Sequence, residues 1–204
     1  MIKPISAAAF LLLSTLSISS QADVEPGVYL GIDSNTSLIG TAKTEYKSSG
    51  REEKDDIDTT GLGLFLGFRF DTNNRFQISR SVIKATYDSD DEAKFHGTDF
   101  DWHYVYGDDK VLPYWGLGFG LYNYEDSGNV FTSDEDLSGF SFQLLAGIKL
   151  DLHKHFELDV SYRIKSIAWQ DIEIEASNGL FTANETISLS HTMSSLNLGA
   201  AIKF

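Results

Sequence analysis

Asp99, Asp101 and His103 sit at alternate positions, and residues two apart in an extended strand point the same way, so the three could share proton-transfer work. Glu157 and Asp159 repeat that spacing with two carboxylates, and Arg69, Lys149, Arg163 and Lys165 supply cations in segments of the same period. Together such groups form either an acid–base site or a set of ion pairs that neutralise one another in a confined space. The second reading, a luminal charge network, is the stronger, because charges held away from water need partners. Ser190 and His191 are adjacent and therefore point to opposite faces of a strand, which removes them as a nucleophile–base pair. The chain has no cysteine, so thiol catalysis and thiolate metal sites are excluded. No acidic stretch follows the D-x-D-x-D-G order of a calcium loop. No catalytic, cofactor-binding or metal site is expected.

The elements that must position these residues are strands. Thr59 to Phe70 sets Leu62, Leu64, Leu66, Phe68 and Phe70 against Gly61, Gly63, Phe65, Gly67 and Arg69, a period of two where a helix would need 3.6. The same two-faced pattern marks residues 27–39, 98–106, 111–124, 137–150, 156–175 and 194–204. Residues 76–87 share it imperfectly: Arg80 and Lys84 continue the face begun by Phe76 and Ile78 unless a bulge shifts the phase. Charged stretches at 40–58, 88–97, 125–136 and 176–185 read as long loops, and 71–74, 107–110 and 151–155 as short turns. Long and short connections in alternation predict an all-β fold, an eight-stranded antiparallel up-and-down transmembrane β-barrel.

Composition agrees. There are 17 glycines, 14 Phe, 9 Tyr and 3 Trp but only 3 prolines, and 30 acidic residues against 16 basic ones disfavour nucleic acid as a partner. Lys3, the apolar run Ala7 to Leu16 and the small residues around Ser20-Gln21-Ala22 predict an export signal over 1–22, leaving 23–204 as the barrel domain. A soluble barrel would put the apolar face inside; a membrane barrel puts it toward lipid. The polar face carries Arg69, Asp99, Asp101, His103, Gln143, Lys149, Glu157, Asp159, Arg163 and Lys165 interleaved with glycines, which suits a narrow filled lumen better than a solvated surface. Residues 40–58, 88–97, 125–136 and 170–186 hold 19 acidic and 5 basic residues, so most of the net charge belongs to one rim, expected to be extracellular.

With the signal peptide, the glycine-alternating PYWGLGFGLYNY at Pro113 to Tyr124, FELDVSYRIKS at Phe156 to Ser166 and the terminal NLGAAIKF, the chain resembles the small outer-membrane β-barrel family that includes the OmpA-like and OmpX-like proteins. The resemblance implies a Gram-negative outer-membrane location and contact with membrane lipid and lipopolysaccharide; a monomer is expected. It also implies that Asn197, Gly199, Ile202 and Phe204 are read by the outer-membrane assembly machinery. Some members modify lipid using a His and a Ser two residues apart on the outer wall; none of the five histidines here is followed two places on by Ser. The function expected is therefore non-enzymatic, in envelope structure or surface interaction, with a narrow channel or small-solute conduit as the alternative and a lipid-modifying enzyme as the next. Asp171, Glu173 and Glu175 alternate with Ile172 and Ile174, which suggests that the seventh strand rises above the membrane, where an extracellular protein partner could pair with its edge. If Phe204 both anchors in the membrane interface and is read during assembly, Phe204→Asp abolishes insertion, measured as loss of the heat-modifiable folded band in isolated envelopes.

Overall fold

The computed structural model describes residues 26–89, 91–107, 110–126, 137–177 and 182–204; the export signal read over 1–22 lies outside them. Nine strands follow in order: β1 Gly27–Tyr46, β2 Arg51–Arg69, β3 Asn74–Tyr87, β4 Glu92–Val105, β5 Val111–Asp126, β6 Leu137–His153, β7 Phe156–Trp169, β8 Ile172–Ser177 and β9 Thr182–Lys203. Each of β1 to β7 pairs antiparallel with its neighbour, β7 pairs with β9, and β9 returns to β1, closing an eight-strand ring. Strand β8 stands outside that ring. It continues β7 beyond Gln170 and Asp171 and pairs with the first residues of β9, from Ile172↔Ile187 to Ser177↔Thr182.

Register fixes the shape. Stepping across direct partners from Tyr29 leads to Gly67, Gln77, Asp101, Gly118, Gln143, Lys165, Met193 and back to β1 at Gly40, eleven residues beyond the start. One of the eleven is the extra residue at the bulge between Ser37 and Ile39. With a rise of ~3.3 Å per residue and a strand spacing of ~4.8 Å, a stagger of about ten over eight strands tilts the strands about 40° from the barrel axis. The interior of such a ring is only wide enough to be packed by its own side chains.

Side-chain exposure gives the wall its orientation. Ile32 is 59% and Leu62 70% exposed on the outside, whereas Asp99, Asp101 and Gln143 are fully buried inside. This is the inversion of a soluble barrel. At the short-turn end Trp102 and Trp115 meet edge to face at 5.2 Å, Tyr104 and Tyr106 at 4.9 Å, and Trp115 Nε1 donates to Tyr106 Oη at 2.8 Å. These rings form the aromatic girdle expected where a membrane wall meets water. The β2–β3 turn beside it is an Asx turn in which Asp71 Oδ1 accepts from Asn73 N at 2.8 Å and Asn74 N at 2.7 Å. The Asn74 donors hold the Asp71 carboxyl below the usual carboxylate range.

The stretches read as long loops are mostly strand, which corrects the sequence reading. Strand β1 runs to Tyr46 and β2 starts at Arg51, leaving only Lys47 to Gly50 as a turn, with Gly50 at φ 66°. Cross-strand charges support this hairpin, as in the 2.8 Å pair of Lys43 with Glu52, while Ala42 and Ile57 stay buried inside. Acidic composition signalled solvation, and solvation is compatible with pairing. Likewise β4 begins at Glu92; of 176–185, residues 176 and 177 belong to β8 and 182–185 to β9, and of 125–136, residues 125 and 126 belong to β5, the rest of both stretches lying outside the described residues.

Strand β3 is regular, without the bulge that the sequence left open. Arg75, Gln77, Ser79, Ser81, Ile83 and Ala85 all face inward, which leaves Arg80 and Lys84 on the outer wall. An Arg on the lipid face costs about 2–4 kcal/mol at the bilayer midplane, so this placement needs a reason.

Two glycines are demanded by close approach. A Cβ on Gly97 would collide with the Tyr122 ring, and one on Gly118 with the Asp101 carboxylate and, at 2.8 Å, with the Phe100 carbonyl oxygen. Gly97→Val should therefore displace Tyr122 and destabilise the barrel by about 1–3 kcal/mol, as overpacking does; urea unfolding followed by heat-modifiable mobility measures the shift.

Candidate functional site: a charge network that fills the lumen

Inward-facing charges arrange themselves in tiers along the axis. Nearest the short turns, Arg75 Nη1 donates to both Glu157 oxygens at 2.8 Å, and Lys149 Nζ donates to Asp159 Oδ2 at 2.7 Å and lies 3.8 Å from Glu157 Oε1. Tyr114 Oη donates to the other Asp159 oxygen at 3.0 Å, and the Lys149 ammonium stands 4.6 Å from the Tyr114 ring centroid. In the middle tier Arg163 lies 3.9 Å from Asp33 and Gln143 Nε2 donates to Asp101. Above it Lys165 Nζ donates to Asp99 Oδ2 at 2.7 Å, joined by Tyr122 Oη at 2.7 Å and Ser141 Oγ at 3.4 Å.

The structure thus brings together Asp99, Asp101, His103, Lys149, Glu157, Asp159, Arg163 and Lys165 in one lumen. Arg69 lies at the edge of the set, half-buried at the short-turn rim near Gly27 and within electrostatic reach of Arg75 and Glu157. Sequence reasoning missed Arg75 and Asp33, which complete the ion pairs of Glu157 and Arg163. Carrying the period of two straight through β3 finds Arg75; Asp33 already sat opposite Val28, Leu30 and Ile32 in the pattern. The tyrosines Tyr114 and Tyr122 were equally legible as large residues flanking Gly116, Gly118 and Gly120 on the inner face of β5. With them included, Asp33, Asp99, Asp101, Glu157 and Asp159 face Arg69, Arg75, Lys149, Arg163 and Lys165, a formally neutral set.

Above the charges the lumen turns apolar, which the sequence reading did not anticipate. Ile83, Ala85, Phe95, Tyr124, Leu137, Ile167, Trp169, Leu189 and Met193 form one buried cluster. His191 sits within it, taking a hydrogen bond from Trp169 Nε1 on Nδ1 at 2.7 Å and meeting Tyr87 Oη through Nε2 at 2.8 Å. Because Nδ1 accepts, Nε2 carries the proton and donates to Tyr87. Phe95 packs on the same imidazole at 4.8 Å. This cap closes the hairpin end as the core of a soluble domain would.

Neither ring nitrogen of His103 hydrogen-bonds to another of the described residues, so none of them orients it as a base. His191 is buried in the cap while Ser190 lies on the outer side of β9. Among the described residues no group of three or more His, Cys, Asp or Glu could hold a metal ion. The cavity bounded by His103, Asp33, Lys149, Asp159 and Arg163 has a volume of about 20 Å³, room for about one water molecule.

A closed eight-strand ring that is apolar outside and charged inside is a membrane-spanning β-barrel. A family model described as outer membrane protein beta-barrel domain matches residues 8–203, and the chain belongs to that family. Among solved structures it is similar to outer membrane protein OprG from Pseudomonas aeruginosa, with a TM-score of 0.60 and 15% identity over 90% of this chain and 98% of that one. Neisserial surface protein A matches with a TM-score of 0.54 and 19% identity over 89% and 100% of the two chains. Outer membrane protein AlkL, determined in lipid bilayers, matches with a TM-score of 0.54 and 17% identity over 94% and 96%. At these identities the likeness is one of fold. No curated protein sequence matches.

Ion pairing in the lumen makes a quantitative prediction. Lys165→Met strands the buried Asp99 carboxylate and should cost about 3–5 kcal/mol, whereas Lys165→Met combined with Asp99→Asn should recover most of that loss; unfolding midpoints in lipid vesicles report both.

Proposed function

We propose that this chain is a plugged, non-enzymatic barrel of the Gram-negative outer membrane, serving envelope structure and surface interaction rather than transport. One observation carries this reading: the lumen is occupied from end to end, by ion pairs below and an aromatic cap above, and its cavity at His103 admits about one water. A conduit needs a continuous passage, and an acid–base enzyme needs a reachable base.

What remains available for function is the outside. Beyond the apolar belt β8, β9, β1 and β2 continue as a four-stranded sheet, held by pairs such as Ile172↔Ile187, Tyr46↔Ile187 and Tyr46↔Arg51. Strand β2 pairs with β3 only from Ile57 onward, so among the described residues Arg51 to Asp56 present a strand edge. Its charged side chains protect the edge against indiscriminate pairing and select a partner of complementary charge. In this reading the acidic hairpins face the cell exterior, and Asn197, Gly199, Ile202 and Phe204 on β9 and just past it serve assembly. The chain inserts as a monomer and is surrounded by outer-membrane lipid and lipopolysaccharide.

Planar-bilayer recording of the purified, refolded chain tests the plug. We expect no steady conductance steps from the wild type; regular steps in every successful insertion contradict the proposal.

A further inference from the structure

Arg80 is the anomaly of the wall. It lies midway along β3, flanked on its own strand by Ile78 and Val82, paired across to Leu64 on β2 and to Thr98 on β4. A guanidinium at that depth is desolvated unless an anion meets it. Among the described residues its hydrogen bond is to a neutral group, Thr98 Oγ1 at 3.1 Å. Nearer the hairpin end Lys84 pairs with Glu92 at 2.6 Å and His96 meets Glu125 at 2.9 Å. Among the described residues Arg80 has no carboxylate partner, although it lies deeper in the wall than Lys84.

The surface around it differs as well. Two outward positions close to it carry hydroxyls, Thr98 directly opposite on β4 and Ser34 on β1, which pairs with the Leu62 that lies opposite Val82, where β5 to β7 carry Phe119, Leu121, Phe142 and Ile164. Arg80 and Val82 also border a groove of about 760 Å³ on the outer wall, lined by Ile32, Leu62, Leu64 and Leu198 and running over the small side of Gly63 and Gly199. A fixed guanidinium fork with hydroxyl donors beside it matches phosphate oxygens, and an apolar groove directly below matches an acyl chain.

We propose that this arc of the wall binds a phosphorylated glycolipid of the outer leaflet, its phosphate held by Arg80 and Thr98 and one acyl chain lying in the groove across β9, β1, β2 and β3. The leaflet rests on the orientation proposed above; the binding chemistry does not. Charge complementarity selects this occupant. The arc supplies one cation and hydroxyl donors within the apolar belt; the long Arg80 side chain can extend toward the interface, and an anion with its own lipid anchor is the one that can approach it from within the leaflet. The phosphate also relieves the penalty of Arg80, so the residue that looks misplaced in a bare bilayer becomes matched in a membrane containing this lipid.

The test uses the full mature chain in phosphatidylcholine nanodiscs doped with bisphosphorylated lipid A or with its dephosphorylated form, with retained lipid counted by native mass spectrometry. Wild type should retain the phosphorylated form about tenfold better, and Arg80→Gln should lose about that factor, the scale of one charge-assisted contact. Lys154→Gln, a cation removed from the exposed β6–β7 turn, should change nothing. A second readout separates binding from misfolding: Arg80→Leu should raise the unfolding midpoint in pure phosphatidylcholine and lower it, relative to wild type, when phosphorylated lipid A is present. Equal retention of the two lipids, equal retention by Arg80→Gln, or displacement of the lipid by millimolar inorganic phosphate would overturn the site. So would cross-linked dimers in which a second copy covers Arg80. Conductance steps from a barrel that still retains lipid through Arg80 would remove the plug and leave this site standing.

Discussion

Hydrocarbon offers no partner to a peptide group, and the wall of this protein is built around that fact. Every backbone N–H and C=O at membrane depth has to be satisfied within the sheet, so an open edge there is not an option. The seam that removes it joins the first and last strands, from Tyr29↔Lys203 to Tyr46↔Ile187, across a bulge. It is the longest-range pairing in the chain. Loop-closure entropy is therefore met late, and the barrel becomes complete only when β9 has found β1.

Once eight strands close with a stagger of about ten, the lumen is narrow enough to be packed by the barrel's own side chains and too wide to leave empty. Two different solutions fill it. At membrane depth, Tyr114 and Tyr122 reach across space left by glycines to meet Asp159 and Asp99, and the carboxylates are neutralised by Lys149 and Lys165. Above the belt, water surrounds the strands, and the inside reverts to the packing of a soluble core around Phe95, Trp169 and His191. The boundary between the two chemistries follows the environment of the outer wall: the charges lie inside where lipid is outside, interspersed with small apolar clusters such as Tyr29 with Phe65, and the large apolar cap lies inside where water is outside.

The period of two made most of this legible before any coordinates. Leu62 to Phe70 against Gly61 to Arg69, or Phe156 to Ile164 against Glu157 to Lys165, assigns both the strand and the face of each residue. The inner acids and lysines follow directly. Three things resisted. Charge density at 40–58 looked like loop because hydropathy measures contact with water, not hydrogen bonding, and Lys43 with Glu52 shows how a solvated hairpin is still paired. The phase of β3 was obscured by Arg80, since a lipid-facing arginine violates the rule used to read the phase. The aromatic cap was hidden because Phe95, Tyr124, Trp169 and His191 come from four strands and meet only through register.

The central claim is that the lumen is closed to bulk solvent, and the absence of native cysteine allows a direct measurement. Ser141 is fully buried beside Asp99, while Ser138 on the same strand is exposed outside. Single Ser141→Cys and Ser138→Cys variants in intact vesicles can be treated with a small water-soluble maleimide. The account predicts rapid labelling at 138 and none at 141 until the barrel is unfolded; labelling of 141 in the folded protein at a rate comparable to 138 would show an open lumen and contradict it.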